Sequence, residues 1–239
     1  MHTCAIMQPT YLPWSGYFSL IKSVDVFIFL DDVQFNRSSW QSSNQILSEN
    51  KVTKIKVPTI KMPLKTNISE ITLDNSSGWQ ADHFNLIKNS YIGKPGFNYL
   101  MPILEDVLLN TRFKKLINLN IKLISIFSEL LEKKTTFKLA SSLNVSGKRS
   151  EHVANLCKSV GSKHYISPIG AAQYLKEDNF ENTYDIKLLF HKFNHIEYSQ
   201  NSSEKFYSHL SIIDSIANLG QTNVHNYLNN YEIVTSNEL

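Results

Sequence analysis

Met7-Gln8-Pro9-Thr10-Tyr11-Leu12-Pro13-Trp14-Ser15-Gly16-Tyr17-Phe18 follows directly on the apolar run Cys4-Ala5-Ile6 and leads into an apolar-periodic segment. That order spells strand, loop and helix, with Pro and Gly punctuating the turn at the end of the first strand. In an open α/β sheet, ligands sit outside the carboxyl ends of the strands, against helix N-termini whose free N–H groups favour anions. A first turn this dense in Gln, Tyr, Trp and rigid Pro is expected to wall a site. Gln8, Tyr11, Trp14, Gly16 and Tyr17 are its candidate residues.

Val26-Phe27-Ile28-Phe29-Leu30 is a continuous apolar, β-rich run, the pattern of a strand buried on both faces. It ends in Asp31-Asp32-Val33-Gln34-Phe35-Asn36-Arg37, so a second polar cluster gathers at a second strand end. Val52–Ile60 and Ile68–Leu73 alternate well enough to predict two more strands. Helices are expected from Trp79 to about Tyr91, over Tyr99–Leu109 and over Lys114–Lys134. The last carries Leu116, Leu119, Leu123, Phe127 and Leu130 at three-and-four spacing. Together they read as a helical insertion over about residues 77–134, beside the sheet. Thr135–Leu139, His164–Ser167 and Ile186–Phe193 return to strand, with helices between them, and a last helix runs from His209 to about Leu219. The expectation is a single domain over residues 1–239 with an α/β, Rossmann-like fold, a mostly parallel sheet flanked by helices.

Of the 239 residues, 42% are hydrophobic and 19% charged, ordinary for a globular chain and enough for a sizeable core. A net charge of +3 is too small to point to nucleic acid. Two cysteines, Cys4 and Cys157, each in apolar surroundings, argue against a disulfide framework and for a reducing compartment. Met1-His2-Thr3-Cys4 lacks the basic region and long apolar core of a signal peptide, and no run of about 18 apolar residues is present. A cytoplasmic protein without membrane insertion is expected.

Ser146-Gly147-Lys148-Arg149-Ser150 has the makings of a phosphate site. Gly lets backbone approach a ligand, the following helix start offers free N–H groups, and Lys and Arg add charge and a bidentate fork. It lacks the spacing of a P-loop, and Ser with Glu151 nearby also fits a helix-capping arrangement. Asp31, Asp32, Gln34 and Arg37 suit a substrate amine, a metal or a sugar hydroxyl, or else a strand-end turn with an Asp–Arg pair. Adjacent carboxylates on a strand point to opposite faces, so one of the two is expected to face a pocket. His195 and Tyr198 lie just past a buried-type strand. An imidazole with an ordinary pKa near about 6.5 suits a general base, and an isolated histidine also commonly serves as a hydrogen-bonding fixture. No metal site is expected: His191 and His195, four residues apart on a strand, would stand roughly 13 Å from one another.

Gln8-Pro9 through Gly16-Tyr17-Phe18, Val24-Asp25-Val26-Phe27, Asp31-Asp32-Val33-Gln34-Phe35 and Trp40 resemble the WbqC family of bacterial surface-polysaccharide gene clusters. The resemblance continues through Val145–Ser150, Tyr165-Ile166-Ser167, Gly170-Ala171, Tyr174-Leu175, His195 with Tyr198 and Gln200, and Leu210–Asp214. The chain departs from the family pattern at Pro168, where Gly is usual, at Ile196, where Pro is usual, and at Gln41-Ser42-Ser43, where basic residues often stand. A weaker similarity links the loop, Gly16-Tyr17, Val26–Leu30 and Val33-Gln34-Phe35 to pantothenate-synthetase-like adenylate-forming amide ligases. Those enzymes place His-x-Gly-His where this chain has Trp14-Ser15-Gly16-Tyr17, so the phosphate-gripping histidines are missing.

The two resemblances imply an enzyme of O-antigen or related glycan synthesis that modifies a nucleotide-linked amino sugar, by N-acyl (amide) transfer. Its acyl donor would be an acyl-CoA, a carrier protein, or ATP plus an acid; no cofactor is assigned. His195 and Asp32 are the candidate catalytic residues. Gln8, Tyr11, Trp14, Gly16, Tyr17, Asp31, Gln34, Arg37, Trp40 and Tyr198 would bind substrate, and Ser146, Gly147, Lys148 and Arg149 would hold phosphate. A non-catalytic partner that binds a nucleotide sugar or carrier protein, or an ATP-dependent amide ligase, are the alternatives.

Overall fold

The computed structural model describes residues 2–200 and 205–239. Strand β1 (Thr3–Met7) leads to helix α1 (Ser15–Ser23), which returns the chain to β2 (Val26–Phe29). A hairpin of β3 (Ser43–Ser48) and β4 (Lys51–Lys56) follows. Three helices come next: α2 (Trp79–Tyr91), α3 (Phe97–Glu105, prolonged by a π-type turn over Asp106–Asn110) and α4 (Leu116–Ser128). β5 (Thr136–Leu139), α5 (Ala140–Leu143) and α6 (Ser150–Ser159) lead to β6 (His164–Pro168). The chain ends with α7 (Ala172–Glu177), α8 (Phe180–Tyr184), β7 (Lys187–Phe193), α9 (Ile212–Tyr227) and β8 (Tyr231–Val234).

Six strands form one sheet in the order β5-β2-β1-β6-β7-β8. β8 runs antiparallel to β7, and the other neighbours pair in parallel. The mostly parallel α/β sheet expected from the sequence is what the chain builds. Successive side chains of a strand face opposite sides, and the cores sort accordingly. Ala5, Phe27 and Phe29 pack into one core with residues of α1, α2, α3, α4 and α9. Cys4, Ile6, Val26 and Ile28 face the other, against Val153, Leu156 and Cys157 of α6 and Phe180 of α8. Because both faces are covered, the run Val26–Phe29 has no polar position. Trp79, Ile87, Leu104 and Leu123, from α2, α3 and α4, belong to the same core as α1 and that face of the sheet.

The hairpin departs from the strands expected at Val52–Ile60 and Ile68–Leu73. β4 stops at Lys56 and pairs with β3, a polar stretch whose Asn44 is buried because its side-chain amide donates to the carbonyls of Tyr11 (3.0 Å) and Leu12 (2.7 Å). Between the hairpin and α2, Thr59 bridges to Leu73, Asn67 to Gln34 and Thr72 to Lys115, each as an isolated pair. Ile68–Glu70 winds into a 3-10 turn instead, where the Glu70 carboxylate accepts from the Asn67 N–H at 3.3 Å. No helix among the described residues is long and apolar enough to cross a membrane.

Candidate functional site

The parallel strands β5, β2, β1, β6 and β7 share a direction, so the segments that follow them all emerge at one rim. From β1 the chain crosses to β2 on one side, while β6 is followed by β7 on the other, so the topology switches between β1 and β6. That is where open α/β sheets leave a crevice for ligands. Two cavities open at this rim.

The smaller, about 240 Å³, lies over the switch point and is walled by Met7, Trp14, Gly16, Pro168, His191 and His209. Gly16 is required by close approach: a Cβ at this position would stand 2.1 Å from the Trp14 ring. The indole in turn stacks on His195 (centroids 5.4 Å, 26° between planes) and lies 4.5 Å from the His209 ring. His195 Nδ1 meets the Tyr227 hydroxyl at 3.2 Å, and its Nε2 meets His209 Nε2 at 3.4 Å. Burial, with the neighbouring His209, pulls His195 down to about 4, and burial also lowers His209. His191 Nε2 pairs with Ser19 Oγ at 3.0 Å and is likewise held at about 4 by burial. Burial thus holds these imidazoles in the neutral form at neutral pH.

The larger cavity, about 780 Å³, opens beyond β1 and β2. Gln41, only 1% exposed, donates from Nε2 to Gln8 Oε1 (2.8 Å) and accepts the Asn36 N–H at Oε1 (2.9 Å). Gln34 bridges to Asn67, Phe35 N–H donates to the Thr66 carbonyl (2.9 Å), and Arg37 donates from Nη2 to the Met62 carbonyl (2.9 Å). Those bonds tie the wall after β2 to the loop after β4. Trp40, 52% exposed, stands beside two lining residues, Ser39 and Gln41.

Trp14, Gly16 and Tyr17 border the small cavity, and Gln8, Gln34 and Arg37 border the large one. Tyr11 is elsewhere: its ring is fully enclosed and its hydroxyl meets His83 Nδ1 at 3.0 Å. Asp31 is 1% exposed and accepts from the Ser141 N–H (2.9 Å) and hydroxyl (2.6 Å), fixing the start of α5 to the end of β2. Asp32 diverges from it and meets His152 Nε2 at 3.0 Å; Asp32 Oδ1 and His152 Nδ1 are buried without a partner. Tyr198 donates to the fully buried Asp214 (2.8 Å), which also accepts from Tyr91 (2.9 Å) and Gln200 (2.8 Å). Burial raises the Asp214 carboxyl, although these donors pull it the other way.

Ser146, Gly147, Lys148 and Arg149 form the exposed entry to α6 and line neither rim cavity. Gly147 has φ +131, and a Cβ there would lie 2.8 Å from the His152 nitrogen, so this glycine lets the loop fold onto the helix start. Arg149 lies 3.7 Å from Asp178. Among the described residues no group of three His, Cys, Asp or Glu is placed to hold a metal.

His152 and His209 escaped the sequence reading. Neither sits in a motif, and each meets its partner only through tertiary folding. The positive φ of His209 (+61) is likewise invisible in a residue that reads as the start of a helix.

The WbqC-like protein family matches this chain over residues 8–226. An uncharacterized protein, Rv1507c of Mycobacterium tuberculosis, is 29% identical over 182 residues, covering 76% of this chain and 78% of its own. No solved structure matches.

Proposed function

The chain belongs to the WbqC-like protein family, and on that premise we propose that it is an enzyme of bacterial surface-glycan synthesis that forms an amide on a nucleotide-linked amino sugar. The observation that carries this reading is the pairing of two unlike cavities at one rim. One is lined by amides and cations that suit phosphate and sugar, the other by neutral imidazoles and an indole.

In the step envisaged, the sugar amine attacks the carbonyl carbon of an acyl thioester. The carbon–sulfur bond breaks, the thiolate leaves, and the amine proton passes to the His209–His195 pair. Burial leaves His195 unprotonated and free to accept at neutral pH while lowering its basicity, so the proton moves on to solvent rather than resting on the ring, and the Tyr227 hydroxyl at its far nitrogen orients the ring. Trp14 stacks on the pair and closes one side of the cavity.

The test is mass spectrometry of nucleotide-linked amino sugars incubated with the chain and acyl-CoA, acyl carrier protein, or ATP plus acid. An N-acylated product, with kcat lowered in His195→Ala while sugar-nucleotide binding persists, is the expected result. Binding with no product from any donor would leave a binding partner rather than an enzyme. Pyrophosphate release that depends on substrate would mark a ligase.

A further inference from the structure

We propose that the larger rim cavity is a diphosphate subsite, gripped by Arg37, Lys61 and Lys65. This deepens the reading above and rests on it only for the identity of the whole ligand.

Three cations line this cavity and no carboxylate does, in a chain whose net charge is only +3. Lys61 and Lys65 make no ion pair or side-chain hydrogen bond within the described residues, so both ammonium groups are available to a ligand. Arg37 spends one donor on the Met62 carbonyl, which fixes the guanidinium across the cavity and leaves its other N–H groups for phosphate oxygens. Nearby carboxylates are already engaged: Asp31 with Ser141, Asp32 with His152, and Glu70 with the Asn67 N–H.

Shape and neutral groups agree with the charge. The volume of about 780 Å³ is that of a small-molecule site. The ties from Gln34, Phe35 and Arg37 to the facing loop hold the walls in place without ligand. Gln8 receives the Gln41 amide on its oxygen, which leaves its own amide N–H groups to donate. Phe35, Met62 and Leu64, the last 92% exposed, supply apolar contact for a base or an acyl-bearing arm. The Ser146–Arg149 loop also carries two cations, but it lines neither cavity and its arginine faces Asp178.

A diphosphate can belong to a nucleotide sugar or to coenzyme A. Calorimetric titration with inorganic pyrophosphate, uridine diphosphate and coenzyme A separates the two sources. All three should bind, more weakly at high salt as expected for exposed cations. A tighter uridine diphosphate assigns the cavity to the sugar nucleotide, and a tighter coenzyme A assigns it to the acyl donor.

The double variant Lys61→Ala/Lys65→Ala should raise each Kd at least about tenfold, or about 1.4 kcal/mol, because two of the three cations that face the phosphates are removed. Both lysines are exposed, so an unchanged melting temperature confirms that the variant is folded. The subsite is overturned if no diphosphate binds, if binding survives the double variant, or if Arg149→Ala alone removes it. Diphosphate binding without an amide product would leave this subsite standing and remove the enzymatic reading. Product formation with an unaltered double variant would do the reverse.

Discussion

Acidification should unfold this protein through two histidines buried in the neutral state. His83 pairs with Tyr11 and His191 with Ser19, and burial pulls both from 6.5 to about 4. In the unfolded chain each imidazole takes up a proton as pH falls through 6.5, while the folded state resists until about 4. Their stabilisation is therefore complete above 6.5 and is lost progressively below it. At about pH 5, the ratio of binding polynomials for these two values makes the loss about 2 kcal/mol per histidine, or about 4 kcal/mol for both. A domain with about 5–15 kcal/mol in total would feel that strongly.

Asp214 acts with the opposite sign. Its raised carboxyl favours the folded state as acid protonates it, so single variants are needed to isolate the histidines. Urea unfolding of the wild type, His83→Gln and His191→Gln at neutral and mildly acid pH makes the separation. Each variant should lose about 2 kcal/mol of the pH dependence in this window, while the other buried histidine, with His195 and His209, whose partial exposure weakens their share, keeps the rest. A stability independent of pH between about 7 and 5, or variants that keep the full slope, would show that these histidines are not held neutral by burial.

Asp31→Ala should cost about 2 kcal/mol in urea unfolding, because it removes both bonds that fix the start of α5 to β2. Gly16→Ala should push the Trp14 indole off the His195–His209 pair and shift its fluorescence emission, since the new Cβ would overlap the ring. Cys4 and Cys157 are fully buried, with their sulfurs 3.4 Å apart. A thiol reagent should therefore find no reactive cysteine in the folded chain and two in urea; rapid labelling of the native protein would contradict that packing.

The sheet was legible where burial leaves a simple mark. Cys4-Ala5-Ile6 and Val26–Leu30 are apolar because helices cover both faces, and the loops that follow them carry the polar groups of the rim. β3 was not legible, because Ser43-Asn44-Gln45 reads as a loop until Asn44 is seen to cap two carbonyls of the 8–14 segment. Much of the rim also depends on distant partners. His209 sits on His195 and His152 on Asp32, pairings that no spacing along the chain announces. Tyr11 misled for the converse reason, since an aromatic in a site-like loop turned inward to pack against Trp79 and His83.

We propose that a nucleotide-linked amino sugar is held at the carboxyl rim of β1, and a crystal structure with such a ligand would locate it. The diphosphate should lie between Arg37, Lys61 and Lys65, with the sugar amine directed to the cavity of Trp14 and His209. A ligand seated on the Ser146–Arg149 loop, or at the opposite rim of the sheet, would contradict it.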